Sequence, residues 1–265
     1  MASEFEVPLT WGAQLARAER ILAATSGQAS RHEATEMLSY VLGIPEAELL
    51  ARPTAALDLA DAQAYERWVA RCATGEALPH ITGHLEFMGL DLLVRPEDPL
   101  PPLGAQRLVE IALQRARRRY ADELLVAEVG TGCGAIALAL AALEPRFIRI
   151  YAVDSSPSAL QTADANGARY LLNLVIGWLQ GDGAEVVPEP VDLLVCARPK
   201  WTGLGQVIDM LRPGGALICV VNAGQRQAAA EWLARCFPTE PVWIEVEGNG
   251  DAIFVASRAV DLEEV

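Results

Sequence analysis

The stretch of this chain best suited to hold a ligand is Glu128-Val129-Gly130-Thr131-Gly132-Cys133-Gly134-Ala135. Its glycines let the backbone turn tightly and approach a ligand with no Cβ in the way. Two acids further on could serve the same ligand. Asp154 follows Gly130 by 24 residues, and a carboxylate there can accept both hydroxyls of a ribose. Asp182, in Gln180-Gly181-Asp182, can reach an adenine amino group. The glycine pattern by itself also fits dinucleotide-binding turns, and a glycine turn in an α/β domain need hold no ligand at all. Glu128 separates these readings. It is a negative group where a pyrophosphate would be unwelcome and an ammonium welcome, so a nucleoside carrying an amino acid fits better than a dinucleotide.

These residues need strands to carry them. From Leu124 onward short apolar runs alternate with helical stretches, predicting strands at 124–129, 148–153, 175–179, 191–196 and 216–221 and helices at about 135–143, 157–172, 204–211 and 225–236. Continuous apolar strands separated by helices predict a parallel sheet covered on both faces. The chain then closes with 242–246, a Gly248-Asn249-Gly250 turn and 252–256, so an antiparallel strand should finish the sheet. The first 80 or so residues are different in texture. Apolar residues recur there at helical spacing (Trp11, Leu15, Ala18, Leu22; then Ala34, Met37, Leu38, Val41; then Leu59, Tyr65, Trp68, Val69, Cys72), predicting a small all-helical domain. Residues 81–93 read as a hairpin. Arg95-Pro96-Glu97-Asp98-Pro99-Leu100-Pro101-Pro102 has too many prolines for regular structure and makes a stiff connector to a helix at about 104–119. The domains expected are thus 1–78, helical; 79–103, hairpin and linker; and 104–265, α/β.

Composition narrows the function. The 265 residues include 21 Lys and Arg against 35 Asp and Glu, a formal charge of −14. A surface so negative repels polyphosphate and anionic lipid, which argues against nucleic acid and membrane as partners. The five cysteines (Cys72, Cys133, Cys196, Cys219, Cys236) are odd in number and widely spaced, so neither a disulfide framework nor a thiolate zinc site is expected. The N-terminus has no signal-peptide pattern, and no apolar run is long enough to span a bilayer, so a reduced, cytoplasmic protein is expected. His80 and His84 lack a third ligand, and no metal site is expected. Cys133 lacks an activating histidine and reads as a small filler. Arg115, Arg117, Arg118 and Arg119 read as a solvated cationic helix end.

The chain resembles the class I S-adenosylmethionine-dependent methyltransferases, and specifically the HemK family, the release-factor glutamine N5-methyltransferases. The resemblance runs over nearly the whole chain. It is carried by Glu128 to Leu140 (EVGTGCGAIALAL), by Ala152-Val153-Asp154-Ser155-Ser156-Pro157-Ser158-Ala159-Leu160, and by Gly75-Glu76-Ala77-Leu78-Pro79-His80-Ile81-Thr82-Gly83 followed by Glu86-Phe87-Met88-Gly89-Leu90. It implies a Rossmann-like seven-stranded α/β sheet with an antiparallel last strand behind a helical N-terminal domain. It implies S-adenosylmethionine as cofactor, at Glu128, Gly130, Thr131, Gly132, Gly134, Asp154, Ser155 and Asp182. It also implies a possible protein substrate.

Three departures from the family pattern fall in one region. Where the family carries Asn-Pro-Pro-Tyr, whose asparagine grips the amide to be methylated, this chain has Ala197-Arg198-Pro199-Lys200, with Trp201 next. The family's Ile-Pro-Arg-Pro-Glu-Thr-Glu-like run is here Leu100-Pro101-Pro102-Leu103-Gly104-Ala105-Gln106. The segment between Lys200 and Leu211 is short. The cofactor loop stays legible while the acceptor site does not. The expectation is a methyltransferase with an altered acceptor and weak or absent release-factor methylation. The alternative is a catalytically silent relative acting as a binding protein.

Overall fold

The computed structural model describes residues 9–25, 30–119, 121–197, 207–237, 241–246 and 251–259. The chain divides into two compact units, Met1–His84 and Leu85–Val265.

The first unit is helical: α1 (Trp11–Ala23), α2 (Ser30–Leu42), α3 (Glu46–Ala51), α4 (Leu59–Ala73) and α5 (Leu78–Thr82). Side-chain oxygens cap two of these helices, Thr10 accepting from the Ala13 N–H and Asp58 from the Asp61 N–H. The periodic apolar positions meet in one core around Leu22, Met37, Leu38, Leu49 and Tyr65, whose hydroxyl donates to the Ala34 carbonyl. The short helices α3 and α5 were not expected. Each is too brief to show a 3.6-residue period.

The second unit opens with a hairpin, β1 (His84–Phe87) and β2 (Leu90–Leu93), followed by α6 (Ala105–Arg117). Then come β3 (Leu124–Val129), α7 (Ala135–Leu143), β4 (Phe147–Asp154), α8 (Pro157–Arg169), β5 (Ile176–Gln180), β6 (Val191–Cys196), β7 (Leu211–Val221), α9 (Arg226–Cys236), β8 (Val242–Glu245) and β9 (Ala252–Ser257). The seven-stranded sheet has the order β5-β4-β3-β6-β7-β9-β8. β5, β4, β3, β6 and β7 pair in parallel, and β9 runs antiparallel between β7 and β8. Alternate strand residues feed two cores, as the two-residue period requires. Leu124, Val126, Ile150 and Val195 pack with α6 and α7, while Leu125, Ala127, Val153 and Leu194 share the other core with α9.

The expected helix at 204–211 is corrected in part. Residues 204–206 lie outside the described residues, 207–210 form turns, and Leu211 already begins β7. Arg212-Pro213-Gly214-Gly215 is drawn into that strand, which pairs Val191 with Leu211 before a register shift. The Gly248-Asn249-Gly250 turn also lies outside the described residues.

The basic run at the end of α6 is only partly a solvated face. Arg117 and Arg118 are exposed, but Arg119 turns inward to the Asp192 carboxylate at 2.8 Å and donates to the Gly214 carbonyl. Asp192 is buried on β6 and also accepts from the Leu125 N–H at 2.9 Å and from Arg212 at 3.1 Å. This one carboxylate joins β3, β6, β7 and the end of α6. Asp192→Ala strands a buried N–H and two arginines, so it should cost about 2–4 kcal/mol. A lowered urea midpoint with an unchanged slope is the expected readout.

α8 ends in a Schellman turn. The Leu171 N–H donates to the Ala168 carbonyl and the Leu172 N–H to the Gly167 carbonyl. Leu171 therefore adopts φ +58°, a conformation that favours glycine, while its side chain lies 84 % exposed. Leu171→Gly relieves that strain and loses no burial, and should stabilise the protein by up to about 1 kcal/mol in thermal or urea unfolding.

Candidate functional site

The parallel topology gathers the sequence-predicted residues at one edge of the sheet. Gly130 follows β3, Asp154 closes β4, Asp182 lies two residues past β5, and Ala197 follows β6. Strand order reverses between β3 and β6, and ligands of open α/β sheets bind at such a reversal.

The glycine turn is held from below. Val153 O accepts from the N–H groups of Gly130 and Thr131 at 2.8 and 3.0 Å, and Thr131 O accepts from the Gly134 N–H at 2.9 Å. Gly130, Gly132 and Gly134 take φ of +83°, +54° and +88°. A Cβ on Gly130 would enter open space, whereas one on Gly132 would lie 3.1 Å from the Pro99 carbonyl oxygen. The top of the turn is thus open at its first glycine and covered by the connector at its second.

Glu128 has a second duty that its charge alone did not announce. It is 1 % exposed, and its Oε2 accepts from the Thr131 hydroxyl at 2.7 Å and from the Ala137 N–H at 2.9 Å. Gly134, at the N-cap of α7, has no side chain to satisfy the helix's first N–H groups. Glu128 satisfies one of them, the Ala137 N–H, from the preceding strand. Burial pushes its carboxyl up to about 7, against those two hydrogen bonds, and the nearby Asp154 charge adds to the rise.

Asp154 is half-buried. Its Oδ2 accepts from the Gly132 N–H at 2.8 Å and its Oδ1 from the Ser156 N–H at 2.9 Å, so the carboxylate links the glycine turn to the start of α8. Ser155 and Asp182 are exposed at the same sheet edge. Glu128, Gly130, Thr131 and Ala197 line a cavity of about 30 Å³, and Pro99 to Pro102 form part of its wall. Ala197 is 6 % exposed. Arg198, Pro199, Lys200 and Trp201 lie outside the described residues. Cys133 is buried, and its thiol is pushed up to about 12 by that burial, which suits a filler rather than a nucleophile.

His80 and His84 fall on different elements, α5 and β1. A different group, His32, Glu36 and Glu46, brings three possible metal-ligating atoms within 4.8 Å of one another at the surface of the helical unit. Sequence spacing missed it because Glu46 arrives from the unexpected α3. All five cysteines are free. Among the described residues no helix is long and apolar enough to cross a membrane.

Residues 13–83 match the PrmC N-terminal domain family, and residues 126–215 match a methyltransferase domain family. A release factor glutamine methyltransferase of Moorella thermoacetica is 37 % identical over 279 residues, covering 92 % of this chain and 97 % of that protein. The chain belongs to the release factor glutamine methyltransferase family. A second relative of that name, from Bordetella pertussis, is 34 % identical over 223 residues, covering 81 % of each. The solved structure of a methyltransferase from Pyrococcus furiosus shares the fold, with a TM-score of 0.51 at 17 % identity over 72 % of this chain and 98 % of that one. As a member of the family, the chain is an S-adenosylmethionine-dependent methyltransferase with the Rossmann-like fold.

The glycine turn fits that cofactor. Gly130 opens to solvent, and the described residues at this sheet edge include the carboxylates of Asp154 and Asp182. The raised Glu128 carboxyl has a measurable consequence. The native state keeps a proton that the unfolded chain releases above about pH 4.5, so this contribution to stability is complete below that pH and lost as pH rises through about 7. The loss is worth about 3 kcal/mol. Glu128→Gln should flatten the fall in urea midpoint between pH 5 and pH 8 by a corresponding amount.

Proposed function

We propose that this chain keeps the family's cofactor site but has an altered methyl-acceptor site, so that it methylates release-factor glutamine weakly or not at all. In this reading Gly130, Thr131, Gly132 and Gly134 form the cradle for S-adenosylmethionine. Asp154 and Ser155 face the ribose, Asp182 faces the adenine amino group, and Glu128 faces the ammonium. The cofactor, when bound, supplies an electrophilic methyl group on its sulfonium. The chain's own part is to orient that group toward a nucleophilic acceptor atom, a catalysis of proximity.

Ala197 carries the reading. By its resemblance to the family, this position holds the asparagine that grips the substrate amide. Here a buried methyl side chain lines the cavity beside Glu128 and Gly130, with no polar side-chain atom to offer. Losing such a group removes roughly 2.7–4 kcal/mol of transition-state stabilisation, about 10²–10³ in rate. The connector supports the same conclusion. Its cavity wall is Pro99-Leu100-Pro101-Pro102, where the family pattern places an arginine and two acids.

The test is transfer of a labelled methyl group to a release factor. The chain should be at least about 10²-fold slower than a family member that carries the asparagine. Ala197→Asn alone should not restore the rate, because the connector is altered as well. Methylation at an ordinary family rate by the unaltered chain would overturn the proposal. Labelling of a different protein in a lysate would identify a changed acceptor, and labelling of nothing would favour a silent relative.

A further inference from the structure

We propose that Asn166 is a positioning residue for the cofactor: it fixes the glycine turn to the root of the connector and so sets the separation of two walls of the cleft. This rests on the reading of the glycine turn as the cofactor cradle.

Asn166 lies on α8, fully buried, and its side chain makes three hydrogen bonds. Nδ2 donates to the Leu93 carbonyl at 2.9 Å and to the Cys133 carbonyl at 3.0 Å, and Oδ1 accepts from the Leu93 N–H at 2.7 Å. Both amide protons are therefore used. Each partner leads to a wall. Cys133 sits between Gly132 and Gly134 in the turn. Leu93 closes β2, directly before the connector whose Pro99 carbonyl lies against Gly132.

The bond to Cys133 governs one peptide group. That peptide joins Cys133 to Gly134, and Gly134 holds φ +88°. Its N–H donates to Thr131 O at 2.9 Å, and its C=O accepts from Asn166. Held at both ends, it cannot rotate, and the N–H groups that follow it keep their direction into the first turn of α7. Loss of the Asn166 donor frees one end and leaves a buried carbonyl unpaired.

Simple docking of the hairpin does not explain this amide, because the structure contains a residue that does docking alone. Tyr170 lies one helical turn further along, and its hydroxyl accepts from the Asp91 N–H at 2.7 Å and donates to the Asp91 carbonyl at 2.9 Å. Residues two apart on a strand present their backbone groups on the same side, and residues four apart on a helix share a face. α8 therefore pairs with the free edge of β2 through two rungs. Only the Asn166 rung continues into the glycine turn.

That difference supplies the control. Asn166→Leu and Asn166→Asp both remove the donor to Cys133, whereas Tyr170→Phe removes the other rung and leaves the turn untouched. Titration calorimetry with S-adenosylmethionine should show Kd raised about tenfold in the two Asn166 variants and within about twofold of wild type in Tyr170→Phe. Amide hydrogen exchange without cofactor should be about tenfold faster at Gly134 and Ala137 in the Asn166 variants only. All three variants should lower Tm, so Tm alone decides nothing. If an Asn166 variant does not fold, Asn166→Ser, whose hydroxyl cannot serve Leu93 and Cys133 together, is read in the same way. Equal effects of Tyr170→Phe and the Asn166 variants on Kd and exchange would overturn the proposal. So would unchanged exchange at Gly134 and Ala137. If the wild-type chain does not bind S-adenosylmethionine, the cradle reading fails, and the exchange data still decide whether Asn166 holds the turn.

Discussion

A single buried carboxylate, that of Glu128, holds together the part of the structure on which the site depends. It lies one residue before the end of β3, accepts from the Ala137 N–H of α7 and binds the Thr131 hydroxyl within the turn between them. Without it the Ala137 N–H, in the first turn of a helix beginning at a glycine, would be left unsatisfied in a buried setting. The first turn of α7 is met from inside the fold by the Glu128 carboxyl. At the same sheet edge lie the carboxylates of Asp154 and Asp182.

The other side of the cleft is built differently. Strand β2 has one edge paired with β1 and one free, and a free edge is unsatisfied unless something covers it. α8 covers it with side chains, Tyr170 at Asp91 and Asn166 at Leu93, in place of a third strand. The connector then leaves β2 in a fixed direction. Asp98 holds its first turn by accepting from the Arg95 N–H, and its prolines lie against the glycine turn. Sheet edge, helix and connector thus meet around Cys133, a residue with no chemistry of its own at this site. Its burial and its raised thiol are those of packing, and its carbonyl is the part that matters.

The relation to the family follows from these two walls. What surrounds the glycine turn is local and redundant: glycines, the capping Glu128 and the linking Asp154, each tied to its neighbour by hydrogen bonds. On the proposed reading, the acceptor side depends on single polar groups placed at the end of β6 and in the connector. Ala197 and the run of prolines offer none. The first arrangement persists because the fold needs it, since Glu128 and Asp154 organise α7 and α8 whether or not a ligand is present. The second can change without unfolding anything.

Much of this was legible in the sequence because it is written in local order. Apolar runs of strand length, helical periodicity and Gly-rich turns gave the strands of the sheet, most of its helices and the position of the glycine turn after β3. The motifs gave the family. Two kinds of feature were not legible. Short elements such as α3 and α5 carry no full period, and β7 begins at Leu211 because pairing with Val191 overrides a helical pattern. Contacts between residues far apart in the chain carry no local mark either. Arg119 reads as one of several surface arginines until Asp192 is seen beside it, 73 positions on. Asn166 reads as an ordinary helix residue until Leu93 and Cys133 are seen to need its amide. The sequence alone determined which residues could hold the ligand, since residue type and spacing are local properties. Only the tertiary structure decided what holds those residues in place, because a buried polar group must find its partners wherever the fold puts them.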